Sequence, residues 1–512
     1  MSGTRPWFSA FFRGRKPIMN SYPFNEIVNG RYGRKIAYTN VPEITEANVV
    51  KVLGDCIGIH NFNRTAIRYL WAYKNGDQPA LYRAKTIRDD IVNKVIENHA
   101  WEIVRFKMGQ TYGEPIMYNS LSKDEKINAA VDKFNGFLRS AGKAAKDLSM
   151  GEWQSAVGVG YEAVQLRGND DEVPFRIVVP NPMNTFVIYS EQTQEPMLSV
   201  QQLKDENGNQ YYQCFTSTHE YVIQNSTLLP LDVNDAGQQV FSRLHTFGEI
   251  PIVEYPNNQD RISDIELVIT MLDAINGMQS NRQDSIEQFV QSWIKFVNCD
   301  IDEESFAKMK QSGALVVKSN NGSENKADVD IMTQELNQTQ AQVAKDDLLD
   351  NILSILAIPS KQDNGTGDRA GAVSLRNGWD HAKQAARIKD AYVVESEYRL
   401  SKCIRNAIRV RKGANELPLT NADYEPVINH SPTDNMQVKA ESFKMLIEAG
   451  VHPQVALKTS GLWNDAEKVY LLSKPYFDAL YKTADELEKE KEEVVNNGLV
   501  ETGQTEQSVE AV

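Results

Sequence analysis

The sequence predicts an α+β protein organised around two unusually long helices. Three observations carry this. Between residues 152 and 256 apolar and polar residues tend to alternate, the period of a strand. From Ser263 to Val297 the period becomes helical and runs without proline: Ile265, Val268, Ile269, Leu272 and Ile275, then Ile286, Phe289, Val290, Trp293 and Val297. A second long helical stretch runs from about Ala372 to Lys412. Ser263 and Glu266 have capping-box spacing, which marks where the first helix starts. At 1.5 Å per residue that helix would be roughly 50 Å long, against a usual mean of about 11–12 residues. Such a length suits a strut or a bundle member better than the wall of a catalytic pocket.

The remaining elements follow in order. Residues 1–44 read as an irregular arm. Trp7, Phe8, Phe11 and Phe12 precede Arg13, Arg15 and Lys16, and the apolar cluster is too short for a signal peptide. The arm reads as an ordering or partner-contact segment, with membrane docking as the alternative. Helices are expected over 45–75, with Gly54 and Gly58 as possible interruptions, over 85–110, and over 123–147; GEPIMY (113–118) reads as a strand. Short strands are expected around 159–167, 174–179, 185–189, 210–216, 220–224 and 239–246, ending in GEIPIVEYP. After the long helix come a short helix at 303–311, strands at 314–318 and 328–332, and a helix over 336–357. Residues 361–372, KQDNGTGDRAGA, read as a flexible loop. The second long helix carries a basic stripe: Arg399, Lys402, Arg405, Arg409, Arg411 and Lys412. A strand at 423–429 and helices at 434–448, 453–460 and 464–485 complete the body, and the polar run 486–512 reads as a disordered tail.

Composition limits the function. The 512 residues contain 41% hydrophobic and 24% charged residues, as in soluble globular proteins, and suffice for several domains. No apolar run is long enough to span a bilayer. Cys56, Cys214, Cys299 and Cys403 lie far apart without a Cys-x-x-Cys pair, which fits a reducing site of synthesis. A net charge of −14 argues against tight binding to duplex DNA, whose affinity rests on neutralising phosphates, yet it permits a protein that lets DNA pass.

Enzymatic motifs are missing. There is no P-loop, no Gly-x-Ser-x-Gly and no His-x-x-x-His. GVGYEA (158–163) has part of a dinucleotide fingerprint but lies in a strand context. The acidic pairs Asp89-Asp90, Asp170-Asp171 and Asp346-Asp347 read as solvated faces, because adjacent acids on a helix diverge. No catalytic residue, metal ligand or cofactor site is expected.

Four segments, taken in order, resemble the tailed-bacteriophage portal proteins. NKVIENHAWEIVRFKMGQTYGEPIMY (93–118) is similar to the family's helix-then-strand entry, and GVGYEAVQLRGNDDEVPFRIVVPNPMNTFVIY (158–189) to its β-rich segment. FGEIPIVEYPNNQDRISDIELVITMLDAINGMQSN (247–281) is the most specific: the family pattern Gly-x-Ile-Pro-Ile-Val-Glu-Phe-x-Asn-Asn is followed by an acidic helix. Here Asp273-Ala274-Ile275-Asn276 carries Ile in place of the family's aromatic. The Gly-rich loop and basic helix at 360–412 match in position and character. The resemblance covers about 90–430, nearest the SPP-type siphophage portals.

The resemblance implies a portal-type α+β fold: an α/β wing, a two-helix stem, a small αβ clip, a long wing helix and a helical crown. It places an arm at 1–44, the wing at 45–258, stem helices at 259–297 and 336–357, the clip at 298–335, a tunnel loop at 358–377, the long wing helix and strand at 378–429, the crown at 430–485 and the tail at 486–512. It implies a homo-oligomeric ring of about twelve subunits at one capsid vertex, conducting viral double-stranded DNA without sequence specificity. The implied partners are the terminase large subunit, a head–tail adaptor, and the major capsid and scaffolding proteins. The implied location is the virion, and the host cytoplasm during assembly.

A DNA channel needs a weakly binding lumen. Asp264, Glu266, Asp273, Asp284 and Glu287 of the first stem helix are the lumen-charge candidates, although the period does not say which side they face. Lys361, Arg369 and Arg376 are candidate phosphate contacts or solvated charges on the loop, which Gly365, Gly367 and Gly371 would make flexible. The 399–412 stripe reads as an intersubunit salt-bridge surface, with DNA contact as the alternative. Two other classes compete: a phage scaffold or adaptor, and a metal-dependent nuclease built on the acidic pairs.

Overall fold

The computed structural model describes residues 33–86, 89–168, 172–233, 237–290, 293–297, 328–332, 338–359, 378–413, 415–430, 436–463 and 466–480. The chain divides into two compact units, 1–364 with 375–430, and 365–374 with 431–512.

The first unit is built on two sheets. A seven-stranded sheet has β1 (Ala37–Thr39) at one edge, parallel to β5 (Thr185–Ser190). It continues antiparallel through β6 (Pro196–Lys204), β7 (Gln210–Phe215) and β8 (His219–Gln224), which pairs with both β9 (Thr227–Leu228) and β12 (Arg243–Leu244). Between these lies a small hairpin, β10 (Asp232–Val233) with β11 (Gln239–Val240). The second sheet is three-stranded, with β3 (Val159–Leu166) central between β13 (Ile252–Pro256) and β4 (Phe175–Val178).

Helices join the sheets. The first half of α1 (Val49–Lys74) packs Val49, Val52, Leu53 and Cys56 on the large sheet. Its second half puts Ile67, Leu70 and Tyr73 against α2 (His99–Tyr112) and the three-stranded sheet. Gly54 and Gly58 lie inside α1 without breaking it; each costs about 0.5–1 kcal/mol relative to Ala, which the buried face outweighs. Trp71 stacks on Trp153 of α4 (Lys143–Val157) with ring centroids 3.5 Å apart, fastening α1 to α4. Between α2 and α4 the chain forms β2 (Met117–Ser120) and α3 (Glu125–Ser140). The stretch expected as one helix over 123–147 is therefore two, broken where Gly142 takes a left-handed φ of 70°. After Ile269–Val290 (α5), β14 (Trp293–Val297) pairs antiparallel with β15 (Asp328–Met332). Then come α6 (Gln338–Ile355), α7 (Trp379–Lys412) and β16 (Tyr424–Val427), which pairs with β2.

The turn from α4 into β3 admits little but glycine. Gly158 caps α4 at φ 87°, and a Cβ there would sit 2.0 Å from the Arg261 carbonyl oxygen. This close approach brings the start of the α5 segment against the end of α4.

Several expectations need correction. Residues 33–44 belong to the body, because β1 extends the large sheet. The helix expected over 85–110 begins only at His99; Asn98 caps it by accepting from the Trp101 N–H. The long helix ends at Val290, and Trp293–Val297 is a strand, since Trp-Ile-Lys-Phe-Val is rich in the aromatic and β-branched residues that strands favour and β15 pairs with it. The nine-residue strand β6 was not anticipated. The expected elements at 303–311 and 314–318 lie outside the described residues, as does the tail from 486.

Four residues of the basic stripe of α7, Arg399, Lys402, Arg405 and Arg409, have partners within the subunit. Arg399 pairs with Glu195 at 2.5 Å and with Glu395 at 3.2 Å, and Lys402 pairs with Glu249 at 3.2 Å. Arg405 donates to the Leu419 carbonyl and to Asn421, and Arg409 to the carbonyls of Leu417 and Leu419, so the helix end holds the turn that leads into β16.

The second unit contains α8 (Met436–Glu448), α9 (Pro453–Ser460) and α10 (Ala466–Leu480). Pro453 stands at the first position of α9, where its missing N–H costs nothing, and Ala456 and Leu457 are buried.

Candidate functional site

The segment from Ser263 to Ile355 supplies α5 and α6, the two helices expected as the stem, and its anchoring is polar. Glu266 accepts from the Ser263 N–H at 2.9 Å, the backbone half of the capping box. The Ser263 hydroxyl accepts from the Ile265 N–H at 3.2 Å and donates to the carbonyls of Ser155 and Ala156 (3.1 and 2.8 Å) at the end of α4. Glu266 also pairs with Arg34 and accepts from the Gly33 N–H at 3.2 Å. Burial opposes the Arg34 charge and lowers its pKa, while Glu266 acts to raise it.

The five lumen candidates are mostly committed inside the subunit. Glu266 and Asp284 are buried, at 1% and 2% exposure, so neither can present charge to a channel. Asp264 accepts from the Ser155 hydroxyl at 2.6 Å and from Asn257 at 3.1 Å. Asp273 accepts from the Tyr73 hydroxyl at 2.9 Å, and burial pushes its carboxyl up to about 7. Glu287 accepts from Asn93 at 2.8 Å.

Much of this traffic serves one segment. Residues 93–97 run along α5, and its side chains take the place of a strand partner. Asn93 N–H donates to Asp284 at 2.6 Å, Val95 N–H to Ser280 at 3.0 Å and Glu97 N–H to Asn276 at 2.8 Å. Four helical residues rise about 6 Å, close to the roughly 6.6 Å of two extended residues, so three alternate amides meet three successive turns. Burial works against the Asp284 charge, but Lys85 at 2.5 Å, Arg83 at 3.0 Å and the Asn93 amide hold its carboxyl below the usual range.

Helix α6 packs antiparallel to α5. Arg282, late in α5, donates to Gln342, early in α6, at 3.0 Å, while Leu272 and Ile275 share a core with Ile352 and Leu356. Lys345 bridges to Glu97 at 2.7 Å, tying α6 to the same segment. Where α6 ends, the Lys107 ammonium donates to the Leu356 carbonyl at 2.5 Å.

The exposed faces of the two helices differ. Among the exposed positions of α5, Thr270, Ala274, Asn281 and Gln288 form a neutral stripe. On α6 Asp346, Asp347 and Asp350 are all exposed, opposite the buried Ile352. The sequence reading takes Asp346-Asp347 as a solvated pair and gives Asp350 no role. A helical projection that set Leu348, Leu349, Ile352 and Leu356 inward would have put all three on one outward face. Lys361, Arg369, Arg376, Gly365, Gly367 and Gly371 lie outside the described residues.

One cluster of ionisable groups lies away from these helices. Asp147, Glu162 and Glu397 are fully buried with their carboxylate oxygens within 4.8 Å of one another. Lys143 reaches Asp147 at 2.6 Å and Glu397 at 2.9 Å. No described helix is long and apolar enough to cross a membrane.

The chain is a mixed α and β protein in which α5 and α6 pack antiparallel. Residues 55–497 match the family described as phage portal protein, SPP1 Gp6-like, and the chain belongs to that family. Its members are structural proteins of the phage head–tail connector, not enzymes. The portal protein of Bacillus phage SPP1 is 22% identical over 284 residues, which cover 50% of this chain; the chain spans about half of that relative, 53%. Among solved structures, a chain of the neck of an empty gene transfer agent particle, computed with C6 symmetry, gives a TM-score of 0.44 at 11% identity, covering 72% of this chain and 90% of its own. A chain from the native gene transfer agent virion gives 0.40 at 11%, covering 73% and 89%.

Proposed function

We propose that the protein is the repeating subunit of a ring at one capsid vertex, through which double-stranded DNA enters during packaging and leaves on ejection. The family match over 55–497 carries this reading. A ring of about twelve copies uses heterologous contacts that close on themselves. In this reading residues 45–258 with α7 form the wing, α5 and α6 the stem, 298–335 the clip, 358–377 the tunnel loop and 430–485 the crown. The clip would meet the terminase and later the adaptor, and the outer surface the capsid and scaffolding proteins.

The stem wall acts by not binding. Phosphates repelled by Asp346, Asp347 and Asp350, beside a neutral α5 stripe, would find no counter-charge to hold them, so DNA slides. Lys361, Arg369 and Arg376 would supply the few backbone contacts, on a loop that Gly365, Gly367 and Gly371 let move. Electron micrographs of the purified full chain test the reading. Rings with a central hole are expected; a monodisperse monomer at micromolar concentration would overturn it.

A further inference from the structure

The cluster around Glu162 is buried under elements from three directions and is short of positive charge. Glu162 lies on β3, Lys143 and Asp147 on α4, and Glu397 on α7. Tyr118 of β2 and Tyr255 of β13 both donate to Glu397, Tyr255 at 2.9 Å, and Lys143 donates to it as well. Tyr112 of α2 stands close by, with its hydroxyl turned to Gln154 at 2.7 Å. Glu397 therefore has three donors, and Asp147 has Lys143. Glu162 has none: both its carboxylate oxygens are buried without a hydrogen-bond donor.

Three carboxylates facing one ammonium would leave two uncompensated charges in an apolar core, at a cost of several kcal/mol per ion. Two remedies exist, a bound cation or a proton. Lys143 already occupies the cation's place between Asp147 and Glu397, and the tyrosines take up the remaining acceptor capacity of Glu397. A proton needs no extra space. It turns Glu162 from an orphaned acceptor into a donor, with the Asp147 carboxylate as its neighbour.

We infer that Glu162 is a neutral acid in the folded protein, sharing its proton with Asp147, and that this proton is part of the seat of α7 on the three-stranded sheet. Burial raises the Glu162 carboxyl, with the Asp147 charge adding to it, and burial likewise raises Asp147, in agreement with the geometry. The linkage has a definite sign. A carboxyl whose folded pKa lies above its unfolded value contributes stability that is complete below the unfolded pKa and is lost as pH rises through the folded one. The seat of α7 is thus a latch closed by a proton and loosened by alkali, on the helix that leads out of the segment expected as the tunnel loop.

Infrared spectroscopy of the full chain in D2O, with elemental analysis of the same sample, tests this. The wild type minus Glu162→Gln difference near neutral pH should show a protonated-carboxyl C=O band. The thermal midpoint of the wild type should fall by several degrees between about pH 6 and pH 9, and that of Glu162→Gln by less, with the variant the more stable at the alkaline end. Absence of the band, an unchanged pH dependence in the variant, or a stoichiometric divalent metal would each overturn the proposal. Should Glu162→Gln not fold, an Asp273→Asn background, which removes the raised carboxyl outside the cluster, lets the native cluster's own band be followed through its loss with pH; a band absent at all pH values would be equally decisive.

Discussion

The Asn276 side-chain oxygen accepts the backbone N–H of Glu97 at 2.8 Å, 179 residues away in the chain. Ser280 and Asp284 repeat the contact one and two turns further along α5, to Val95 and Asn93. The polar stripe of the helix thereby satisfies an extended segment that has no strand beside it. Because unpaired buried amides cost about as much as a lost hydrogen bond, this stripe fixes where 93–97 can lie.

Asp284 anchors one end of that clasp. Asp284→Ala removes the acceptor of the Asn93 amide and the partner of Lys85 and Arg83. A loss of about 1–3 kcal/mol is expected in urea unfolding, with faster amide exchange at Val95 and Glu97. Since its folded pKa is depressed, the Asp284 contribution is present above the unfolded carboxyl pKa and lost as pH falls through the folded one. The deficit of the variant should therefore shrink in acid.

The Arg34–Glu266 pair makes a different prediction, because both side chains are buried. Glu266→Ala leaves the guanidinium buried alone, and the two Arg34 nitrogens that already lack partners, Nε and Nη1, gain none. A loss of about 3–5 kcal/mol is expected, and Arg34→Met combined with Glu266→Leu should recover most of it. Denaturant midpoints of the single and double variants decide: a double variant as unstable as Glu266→Ala would show that the pair cannot be replaced by apolar packing.

How far the sequence could be read depends on how local each signal is. The Ser263–Glu266 cap, the helices over 453–460 and 436–448, and the pairing-ready strand DVDIM rest on neighbours in the chain, and all are where periodicity put them. Failures occur where a distant partner decides. Ile87, Ile91 and Val95 have the four-residue spacing of a helix, yet residues 93–97 are extended, because α5 offers acceptors at a matching rise. Trp293 and Val297 keep a helical spacing too, and only β15 makes them a strand. Strand β6, PMLSVQQLK, has a weak alternation, but β5 and β7 on either side bury Leu198, Ser199 and Val200 completely. The acids Asp264, Asp273, Asp284 and Glu287 are visible in the sequence, but not their bonds within the subunit, since nothing near them in sequence announces Tyr73, Asn93 or Ser155.

Asp273 gives a pH signature of its own. Burial raises it from 3.8 to about 7, so its neutral form is favoured by folding; that stability is complete below about pH 4 and is lost as pH rises through 7. Asp273→Asn keeps an acceptor for the Tyr73 hydroxyl and removes the ionisation. The variant should melt like the wild type below about pH 4 and above it near pH 8. Equal midpoints at the higher pH would mean that the carboxylate is tolerated beside Tyr73.

The exposed acids of α6 bear most directly on the proposed channel. Asp346, Asp347 and Asp350 lie outside every core, so changing all three to Lys should alter subunit stability by no more than about 0.5 kcal/mol per site. The wall would change from repelling phosphates to binding them. The assembled variant should retain linear duplex DNA in a gel-shift or filter assay at low salt, and release it as salt rises, since each neutralised phosphate steepens the salt dependence by about one unit of log–log slope. Wild-type rings should retain little DNA under the same conditions. If the Lys variant assembles and melts normally but binds no more DNA than the wild type, the α6 face does not line the path of the DNA. The neutral stripe Thr270, Ala274, Asn281 and Gln288 on α5 then becomes the surface to charge next.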